Sequence, residues 1–278
     1  MPSILKCPVC DLPLIRQGAS YQCENGHSFD VAKEGYVNLL LSNQKKSKSP
    51  GDNADMMRHR RQFLQQGYYE PLAQNVASEL DGVLCSGASE LAHLLDNGCG
   101  EGYYTDLIRQ HLSCSVACYG VDISKDAIRY AAKRYADTNF VVGSVANLPV
   151  LDHSVACLVN IFAPDNVTEF RRVLKAGGYL LVVTPTTNHL RQLREMIYDT
   201  VRPFGGGLSP DFNTYFSRIK QQDLSYQVHI DTKQDIEHLF KMTPFYWSTP
   251  TEKQNQILAI DQIDMDISFS IELFQKEG

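Results

Sequence analysis

The sequence predicts an α/β protein with a mostly parallel sheet, preceded by a small module organised around a metal ion. From about Ser89 onward, apolar strand-like runs alternate with segments of helical spacing, as in parallel strands joined by right-handed crossovers. Three cysteines and a histidine cluster near the start of the chain. The stretch SNQKKSKSPGDN, whose composition resists regular structure, lies between the two regions. The chain is therefore expected to have two unequal parts.

The composition is that of a folded globular chain. Of the 278 residues, 43% are hydrophobic and 21% are charged, which argues against disorder over the whole length. No apolar run approaches the roughly 20 residues that span a bilayer. The segment MPSILKCPVC also lacks the basic-then-apolar pattern of a secretion signal. We therefore expect a cytoplasmic protein with no membrane partner.

The charge distribution bears on nucleic-acid binding. A formal net charge of −6 disfavours a polyanionic partner. Residues 33–61, however, include seven basic and three acidic residues. A polyanion would therefore meet the N-terminal part of the chain, although short basic runs are more often ordinary solvated surface.

The N-terminal part is predicted to contain short strands and two helices. Strand-like residues surround Tyr21 and Phe29. A helical pattern begins at Ala54 and stops at Gly67, and a second helix is expected over residues 70–80. These helices lead into the α/β region.

In the α/β region, strands and helices alternate. The apolar strands are HLLDNG, SVACYGVD, NFVVG, VACLVNIF and YLLVVTP. The helices are YYTDLIRQHL, SKDAIRYAAKRYA with an N-capping serine, and TEFRRVLKAGG, which ends at glycine. The tail predicts a helix over 188–201, a flexible break at FGGGLSPDFN, a strand over 226–230, a helix over 233–241 and a last strand in MDISFSIELF. Antiparallel edge strands would finish the sheet.

Cys7, Cys10, Cys23 and His27 form the pattern C-x2-C-x12-C-x3-H. Two tight turns carrying such pairs can place three sulfurs and one imidazole nitrogen around Zn²⁺. Four protein ligands leave no open position, so the site is expected to be structural and to stabilise a segment too small to fold alone. The alternative is a chance coincidence of four residues.

The other five cysteines are scattered along the chain. In a reducing compartment they are expected to be small buried hydrophobic residues rather than disulfide partners. They are Cys85, Cys99, Cys114, Cys118 and Cys157.

A glycine-rich turn, LLDNGCGEGYYT, joins the first strand of the α/β region to its helix. G-x-G-x-G alone is a weak motif, with a dinucleotide-binding dehydrogenase as competitor. Asp96 ends the strand, and the loop lacks the later glycine of pyrophosphate-binding turns, which favours S-adenosylmethionine. Asp122 ends the second strand, where an acid accepts hydrogen bonds from ribose hydroxyls. The alternative is an α/β domain whose glycine turns have no role in binding. Asn97 departs from the usual pattern of this loop, because an apolar residue is usual at its position.

Five segments together resemble the bacterial 23S ribosomal RNA guanine-N1 methyltransferases. They are CPVCDLPL, YQCENGHSFDVAKEGYVNLL, PGDNADMMRHRRQFLQQGYYEPL, LDNGCGEGYYT and VVTPTTNHLRQLRE. The likeness covers nearly the whole chain in the same order, which is more specific than any one motif. It implies a zinc-ribbon-like module joined to a class I, Rossmann-like S-adenosylmethionine-dependent methyltransferase domain with a mostly parallel seven-stranded sheet. It also implies methylation of a guanine in a hairpin of 23S rRNA.

The resemblance also implies a division of the chain and a set of site residues. Residues 1–36 would form the zinc module, 37–80 a basic linker with helices, and 81–278 the methyltransferase domain, in which 186–225 would cover the active site. The zinc ligands would be Cys7, Cys10, Cys23 and His27. Carried over by motif, the cofactor-binding residues would include Tyr69, Gly100, Glu101 and His189. The glycine turn and the strand ends add Asp96, Gly98, Gly102 and Asp122 to this set.

Two of these cofactor residues also have ordinary structural interpretations. Tyr69 could pack beneath the glycine loop, and His189 could cap a helix.

The catalytic candidates are Asn160, Phe162 and Asp165. The segment NIFAP resembles the branch of the family that includes macrolide-resistance methyltransferases. Asp165 stands where many relatives have cysteine, so the choice between two neighbouring guanines stays open. Phe162 is a candidate for stacking on the target base, and Asp165 or Glu101 for accepting the N1 proton.

The expected partners are the 23S rRNA hairpin and, as one option, a second copy of the chain. Basic residues that would grip RNA phosphates are Lys45, Lys46, Lys48, Arg58, Arg60 and Arg61. Two other functions compete: a small-molecule methyltransferase, and a non-catalytic protein that binds S-adenosylmethionine or RNA.

Overall fold

The computed structural model describes residues 3–44, 54–85, 91–201, 208–209 and 211–277. The basic residues Lys45, Lys46 and Lys48 lie outside these ranges. Among the helices described, none has both the length and the hydrophobicity needed to cross a lipid bilayer.

The N-terminal module is a small antiparallel sheet. Its strands are β1 (Ile15–Gln17), β2 (Ser20–Gln22) and β3 (Ser28–Asp30), in the order β1-β2-β3. The strands predicted around Tyr21 and Phe29 are thus confirmed. The module is joined to the rest of the protein by backbone hydrogen bonds, because the N–H of Lys6 donates to the carbonyl of Pro149 (3.1 Å) and that of Leu151 to Ile4 (2.8 Å).

The strand that follows the module, β4 (Val37–Asn38), belongs to the main sheet rather than to a linker. It pairs in parallel with residues 139–142, the third strand of the α/β region, Val37 lying opposite Val141. Val37 and Leu39 are buried, so their apolar side chains gain by covering this edge. The sheet consequently has eight strands, one more than the seven expected.

The remaining strands and helices follow the predicted alternation. After α1 (Ala54–Gln65) and α2 (Glu70–Leu84) come β5 (Ala92–Asn97), α3 (Tyr103–His111), β6 (Val116–Asp122), α4 (Lys125–Arg134), β7 (Asn139–Val142), β8 (Val155–Ile161), α5 (Val167–Val173), β9 (Leu174–Pro185), α6 (Arg191–Ile197), α7 (Phe212–Tyr215), β10 (Phe216–Ile230), α8 (Lys233–Lys241), α9 (Pro244–Ser248), α10 (Thr251–Leu258) and β11 (Ile263–Lys276). The strand order is β10-β11-β9-β8-β5-β6-β7-β4.

The sheet is parallel from β9 to β4 and antiparallel at β10 and β11. The predicted fold class and antiparallel edge are therefore confirmed. One expectation is wrong: residues 186–225 do not all cover the site, because 216–225 belong to β10 and pair with β11. The alternating exposure along β10 is that of an edge strand with one buried face.

The scattered cysteines divide into two groups. Cys99, Cys118 and Cys157 are buried and unpaired, as expected. Cys85 and Cys114 instead form a disulfide, with their Cα atoms 5.4 Å apart. The expectation of five reduced cysteines is therefore wrong, because the end of α2 lies beside the turn that precedes β6.

Candidate active site and metal centre

The four predicted metal ligands meet in one tetrahedral cluster. Nδ1 of His27 lies 3.4–3.6 Å from the three cysteine sulfurs, and the sulfurs of Cys10 and Cys23 are 3.7 Å apart. Bond lengths of about 2.3 Å to sulfur and about 2.0–2.1 Å to nitrogen would separate the ligands of a tetrahedral zinc ion by roughly 3.5–3.8 Å. The donor set and its spacing therefore fit Zn²⁺.

Two hairpin-like turns hold these ligands in place. The N–H of Asp11 donates to the carbonyl of Cys7 (2.9 Å), and that of Gly26 donates to Cys23 (2.9 Å). Gly26 has a φ of +80°, a left-handed conformation that glycine adopts without steric cost. These local turns thus bring the two ligands of each pair together.

At the carboxyl end of β5 the backbone of the glycine-rich turn packs closely against neighbouring side chains. Gly98 has a φ of +71°, and a Cβ built there would lie 2.5 Å from Cβ of Ala163. A Cβ on Gly102, which begins α3 with a φ of +76°, would lie 2.7 Å from the Phe140 ring. Both positions therefore require glycine, since any larger residue would push the loop away from the sheet.

The two predicted acids have different environments. Asp122 accepts hydrogen bonds from the N–H groups of Gly100 (2.9 Å) and Ser124 (2.7 Å), one on each carboxylate oxygen. Asp96 is buried, accepts a hydrogen bond from the hydroxyl of Thr105, and has its pKa raised to about 7 by burial. Asp122 lies at the glycine turn and lines a cavity, whereas Asp96 fastens the start of α3 to β5.

A cavity of about 630 Å³ opens at the carboxyl ends of β5, β6 and β8. This volume is in the range of cofactor and drug-sized ligand sites, and the position is where open α/β sheets bind ligands. Seven predicted residues line it: Tyr69, Gly98, Gly100, Glu101, Asp122, Phe162 and His189. Four others lie outside the lining: Asp96, Gly102, Asn160 and Asp165.

Tyr69 and His189 form a buried pair on the wall of the cavity. The N–H of Ser268 donates to Nδ1 of His189 (3.3 Å), and Nε2 of the same ring lies 3.3 Å from the Tyr69 hydroxyl. Burial lowers the pKa of His189 to about 3, so the ring is neutral with its proton on Nε2. The Tyr69 hydroxyl accepts a hydrogen bond from this N–H and can donate its own hydrogen to a bound ligand.

Glu101 faces the cavity from the glycine-rich turn. Burial raises its pKa to about 7, opposed by the nearby charges of Arg61 and Arg60. Its Oε1 lies 3.7 Å from Nε of Arg61, whose guanidinium also covers the Tyr130 ring at 4.2 Å. Of the arginines predicted to grip RNA, Arg61 is therefore engaged within the protein.

The other two arginines, Arg58 and Arg60, have different surroundings from Arg61. The side chain of Arg58 is 59% exposed beside Asp55. Arg60 lines the cavity.

Asn97 and Asn160 form a buried amide pair between β5 and β8. Nδ2 of Asn97 donates to Oδ1 of Asn160 (2.7 Å), and Nδ2 of Asn160 donates to the carbonyl of Ala163 (3.0 Å). The unusual Asn97 therefore has a structural partner, and together the two amides fix the turn after β8. Asn160 positions this turn and does not face the cavity.

Phe162 stands at the apex of the turn after β8. It has a φ of +56°, which costs energy for a residue with a Cβ and is often found at functional sites. Its ring is 45% exposed and lies 6.0 Å from the ring centroid of Tyr104 and 5.2 Å from that of Phe269. The strained backbone thus presents an aromatic face at the cavity.

Asp165 points elsewhere. Its Oδ2 accepts hydrogen bonds from the N–H (3.0 Å) and the hydroxyl (2.6 Å) of Ser209. Its carboxylate therefore holds the segment before α7.

Several cavity residues were not predicted from the sequence. Residues 242–245, at the end of α8 and the start of α9, line it, and so do Met57 of α1 and Leu190. The prolines that begin α9 and precede α10, Pro244 and Pro250, are an available signal for these short helices. Nothing in the local pattern indicates that they face a glycine-rich turn 140 residues earlier in the chain.

The fold, the acid at the end of β6 and the glycine turn define a class I S-adenosylmethionine-dependent methyltransferase that carries a zinc ribbon. Residues 5–48 match the family described as "RlmA, N-terminal", a zinc ribbon, and residues 94–178 match the methyltransferase domain family. YcgJ of Bacillus subtilis, a solved structure, is 19% identical, covers 73% of this chain and 98% of its own, and has a TM-score of 0.47.

Relatives of known name match over the full length. A 23S rRNA (guanine(748)-N(1))-methyltransferase of Streptomyces fradiae is 32% identical across 96% of this chain and 95% of its own. YxjB of Bacillus subtilis, provisionally named as a 23S rRNA (guanine-N(1)-)-methyltransferase, is 31% identical across 97% and 96%. The chain belongs to the 23S rRNA (guanine-N1)-methyltransferase family.

Proposed function

We propose that this protein transfers a methyl group from S-adenosylmethionine to N1 of a guanine in a hairpin of 23S rRNA. The observation that carries the proposal is a single cavity lined by Asp122, by the glycine-rich turn and by Phe162. Such a cavity can hold a nucleoside-containing methyl donor and leave one aromatic face for a second ring. Family membership supplies the class of substrate.

The cavity residues fit the methyl donor. S-adenosylmethionine supplies an electrophilic methyl group on a positively charged sulfur. The Asp122 carboxylate, already oriented by two backbone N–H groups, can accept hydrogen bonds from ribose hydroxyls. Because burial lowers the pKa of His189 to about 3, this side chain adds no positive charge to the cavity wall that would repel a sulfonium.

The rest of the catalysis is positioning and proton removal. A guanine in a hairpin must leave its stack before its N1 can approach the cofactor, and Phe162 can then pack against the base. Holding the nitrogen and the methyl carbon at attack distance supplies most of the acceleration. N1 also loses a proton, and Glu101, with a pKa of about 7, is better suited to accept it than Asp165, which is bound to Ser209.

The zinc module would act as a structural and RNA-positioning element. Its four ligands leave no site for catalysis. Arg60, which lines the cavity, and the exposed Arg58 would contact RNA phosphates. We propose that the reaction takes place in the cytoplasm, where ribosomal RNA is assembled. A homodimer stays a prediction.

The test is methylation of an unmodified 23S rRNA transcript with radiolabelled donor, mapped by primer extension. A single stop at one guanine is expected, and it should disappear with Asp122→Ala, which removes the predicted ribose acceptor. Absence of transfer to any ribosomal transcript, together with binding of the donor in calorimetry, would instead indicate a non-catalytic protein. Transfer to small metabolites but not to RNA would support the metabolite methyltransferase.

A further inference from the structure

A short segment connects the zinc module to the wall of the cavity. Residues 143–151 follow β7, and they are called the linking segment below. Val145, near the start of this segment, lines the cavity, as does Asp122 at the end of β6. The other end of the linking segment is hydrogen-bonded to the zinc module, so one stretch of backbone belongs to both sites.

Backbone pairing holds the far end of the linking segment to the zinc module. The N–H of Lys6, the residue before the zinc ligand Cys7, donates to the carbonyl of Pro149 (3.1 Å). Leu5 forms a β-bridge with Val150. Cys7, Leu5 and Val150 are buried in one hydrophobic cluster. The position of a zinc ligand is therefore tied to the position of Pro149.

Pro149 in turn packs against the start of the linking segment. A Cβ built on Gly143 would lie 2.9 Å from Cγ of Pro149, so the proline ring occupies the space beside this glycine. The N–H of Gly143 donates to the backbone carbonyl of Asp122 (3.0 Å). The carboxylate of Asp122 accepts a hydrogen bond from the N–H of Gly100. An unbroken series of contacts thus runs from a zinc ligand to a polar group of the cavity.

The linking segment is also fixed by α5. The guanidinium of Arg172 donates to the carbonyls of Leu148 (2.9 Å) and Val150 (2.7 Å), and it is held by the carboxylate of Glu169 (2.7 Å). Together with the bond from Lys6, these contacts satisfy three successive carbonyls of the segment. A segment that is packed and hydrogen-bonded in this way shifts as a unit and does not deform freely.

We propose that the zinc module positions the ribose-binding side of the cavity through Pro149, so that zinc and S-adenosylmethionine bind cooperatively. Packed and hydrogen-bonded contacts carry coupling between sites, and the coupling is reciprocal, since each ligand raises the affinity for the other by the same factor. The inference rests on the proposed role of Asp122 as ribose acceptor, and it does not depend on which substrate receives the methyl group. Pro149 does not line the cavity, so it is a positioning residue.

The first test measures zinc affinity rather than activity. A competing chromogenic chelator gives the Kd of the full-length protein for zinc, with and without S-adenosylmethionine. The donor is expected to lower this Kd about fivefold in the wild type and less than about twofold in Pro149→Ala. Each protein receives the donor at the same multiple of its own Kd, so that the general stabilisation of the fold by a ligand is equal in both.

The second test locates the effect within the cavity. Pro149→Ala should retain one equivalent of zinc and should bind S-adenosylmethionine about fivefold more weakly in calorimetry. The loss should be equal for 5′-methylthioadenosine, which lacks the amino-acid end of the donor. Gly143→Ala, whose Cβ would meet the same ring, should cause a similar loss, and the double variant should recover part of the affinity because the new methyl group fills the space left by the ring.

Cys85→Ser is the control for a general loss of stability. It removes the disulfide that precedes β6, at the opposite end of this strand from Asp122. Both the affinity for the donor and the effect of the donor on zinc binding should keep their wild-type values in this variant.

The outcomes separate the coupling from the proposed function. Equal donor-induced gains in zinc affinity for wild type and Pro149→Ala would overturn the proposal, because the donor would then act through general stability alone. A loss of affinity for S-adenosylmethionine but not for 5′-methylthioadenosine would place the effect at the amino-acid end of the donor and would also overturn it. Cooperative binding of zinc and donor by a protein that methylates no RNA would retain the coupling and reject the proposed reaction.

Discussion

Replacing His189 by glutamine is expected to make the protein less sensitive to acid. In the native structure the ring accepts a hydrogen bond from the backbone of Ser268 and contacts the Tyr69 hydroxyl. A glutamine amide offers one acceptor and one donor for the same partners, but it does not titrate. The substitution therefore removes the titratable group and keeps a hydrogen-bond donor and acceptor on the cavity wall.

The size of the effect follows from the pKa of His189. Histidine in an unfolded chain has a pKa of about 6.5, whereas burial lowers that of His189 to about 3. Because the folded value lies below the unfolded one, the stabilisation is complete above pH 6.5 and is lost as the pH falls from 6.5 toward 3. At about 1.4 kcal/mol for each pKa unit, the loss between pH 7 and pH 5 is about 2 kcal/mol from this residue.

The assay is urea unfolding of wild type and His189→Gln at pH 7, 6 and 5, followed by circular dichroism. The free energy of unfolding of the wild type should fall by about 2 kcal/mol more than that of the variant over this interval. Other histidines and the zinc site titrate in both proteins and cancel in the difference. His111→Gln, at an exposed position, should follow the wild type.

Parallel pH profiles for wild type and His189→Gln would refute the assignment of a buried neutral imidazole. The same result would remove the argument that His189 adds no positive charge to the cavity wall. A lower stability of the variant at pH 7 alone would not refute the assignment. The prediction concerns how the free energy of unfolding changes with pH, not its value at one pH.

Three further predictions concern the metal site, the glycine turn and the disulfide. Cys23→Ser should reduce bound zinc from one equivalent to none in atomic absorption and lower the melting temperature; full zinc content would contradict the ligand set. Gly98→Ala should weaken S-adenosylmethionine binding at least tenfold in calorimetry because its Cβ meets Ala163, and Ala163→Gly in the same chain should restore part of the affinity. Reducing the Cys85–Cys114 disulfide should lower the free energy of unfolding by up to roughly 3–4 kcal/mol, with no change in Cys85→Ser, which lacks it already.

Much of the fold could be predicted because it depends on local patterns. The spacing of the zinc ligands, the alternation of strands and helices, and an acid at the end of a strand before a helix are all encoded within a few residues. The helix over 233–241 was predicted with the bounds that the structure gives it. Ser124 caps α4 as predicted, accepting a hydrogen bond from the N–H of Ala127.

Only those parts of the site that depend on local patterns could be predicted from the sequence. Its glycine turn and Asp122 were placed correctly at the cavity, and their roles in binding stay predictions. Asp165 was considered for catalysis because of its place after the motif, yet its carboxylate binds Ser209. Sequence position gives a residue's element and not the direction of its side chain, so the local pattern could not distinguish these outcomes.

The sequence by itself determined the zinc ligands, the class of fold and the family, because each depends on residue types at short, fixed spacing. Only the tertiary structure decided that Asn97 pairs with Asn160, that β4 completes the sheet, and that Phe245 of α9 lies at the cavity wall. These contacts join segments far apart in the chain. They are selected by burial and hydrogen-bond satisfaction over the whole molecule, which no local stretch of sequence records.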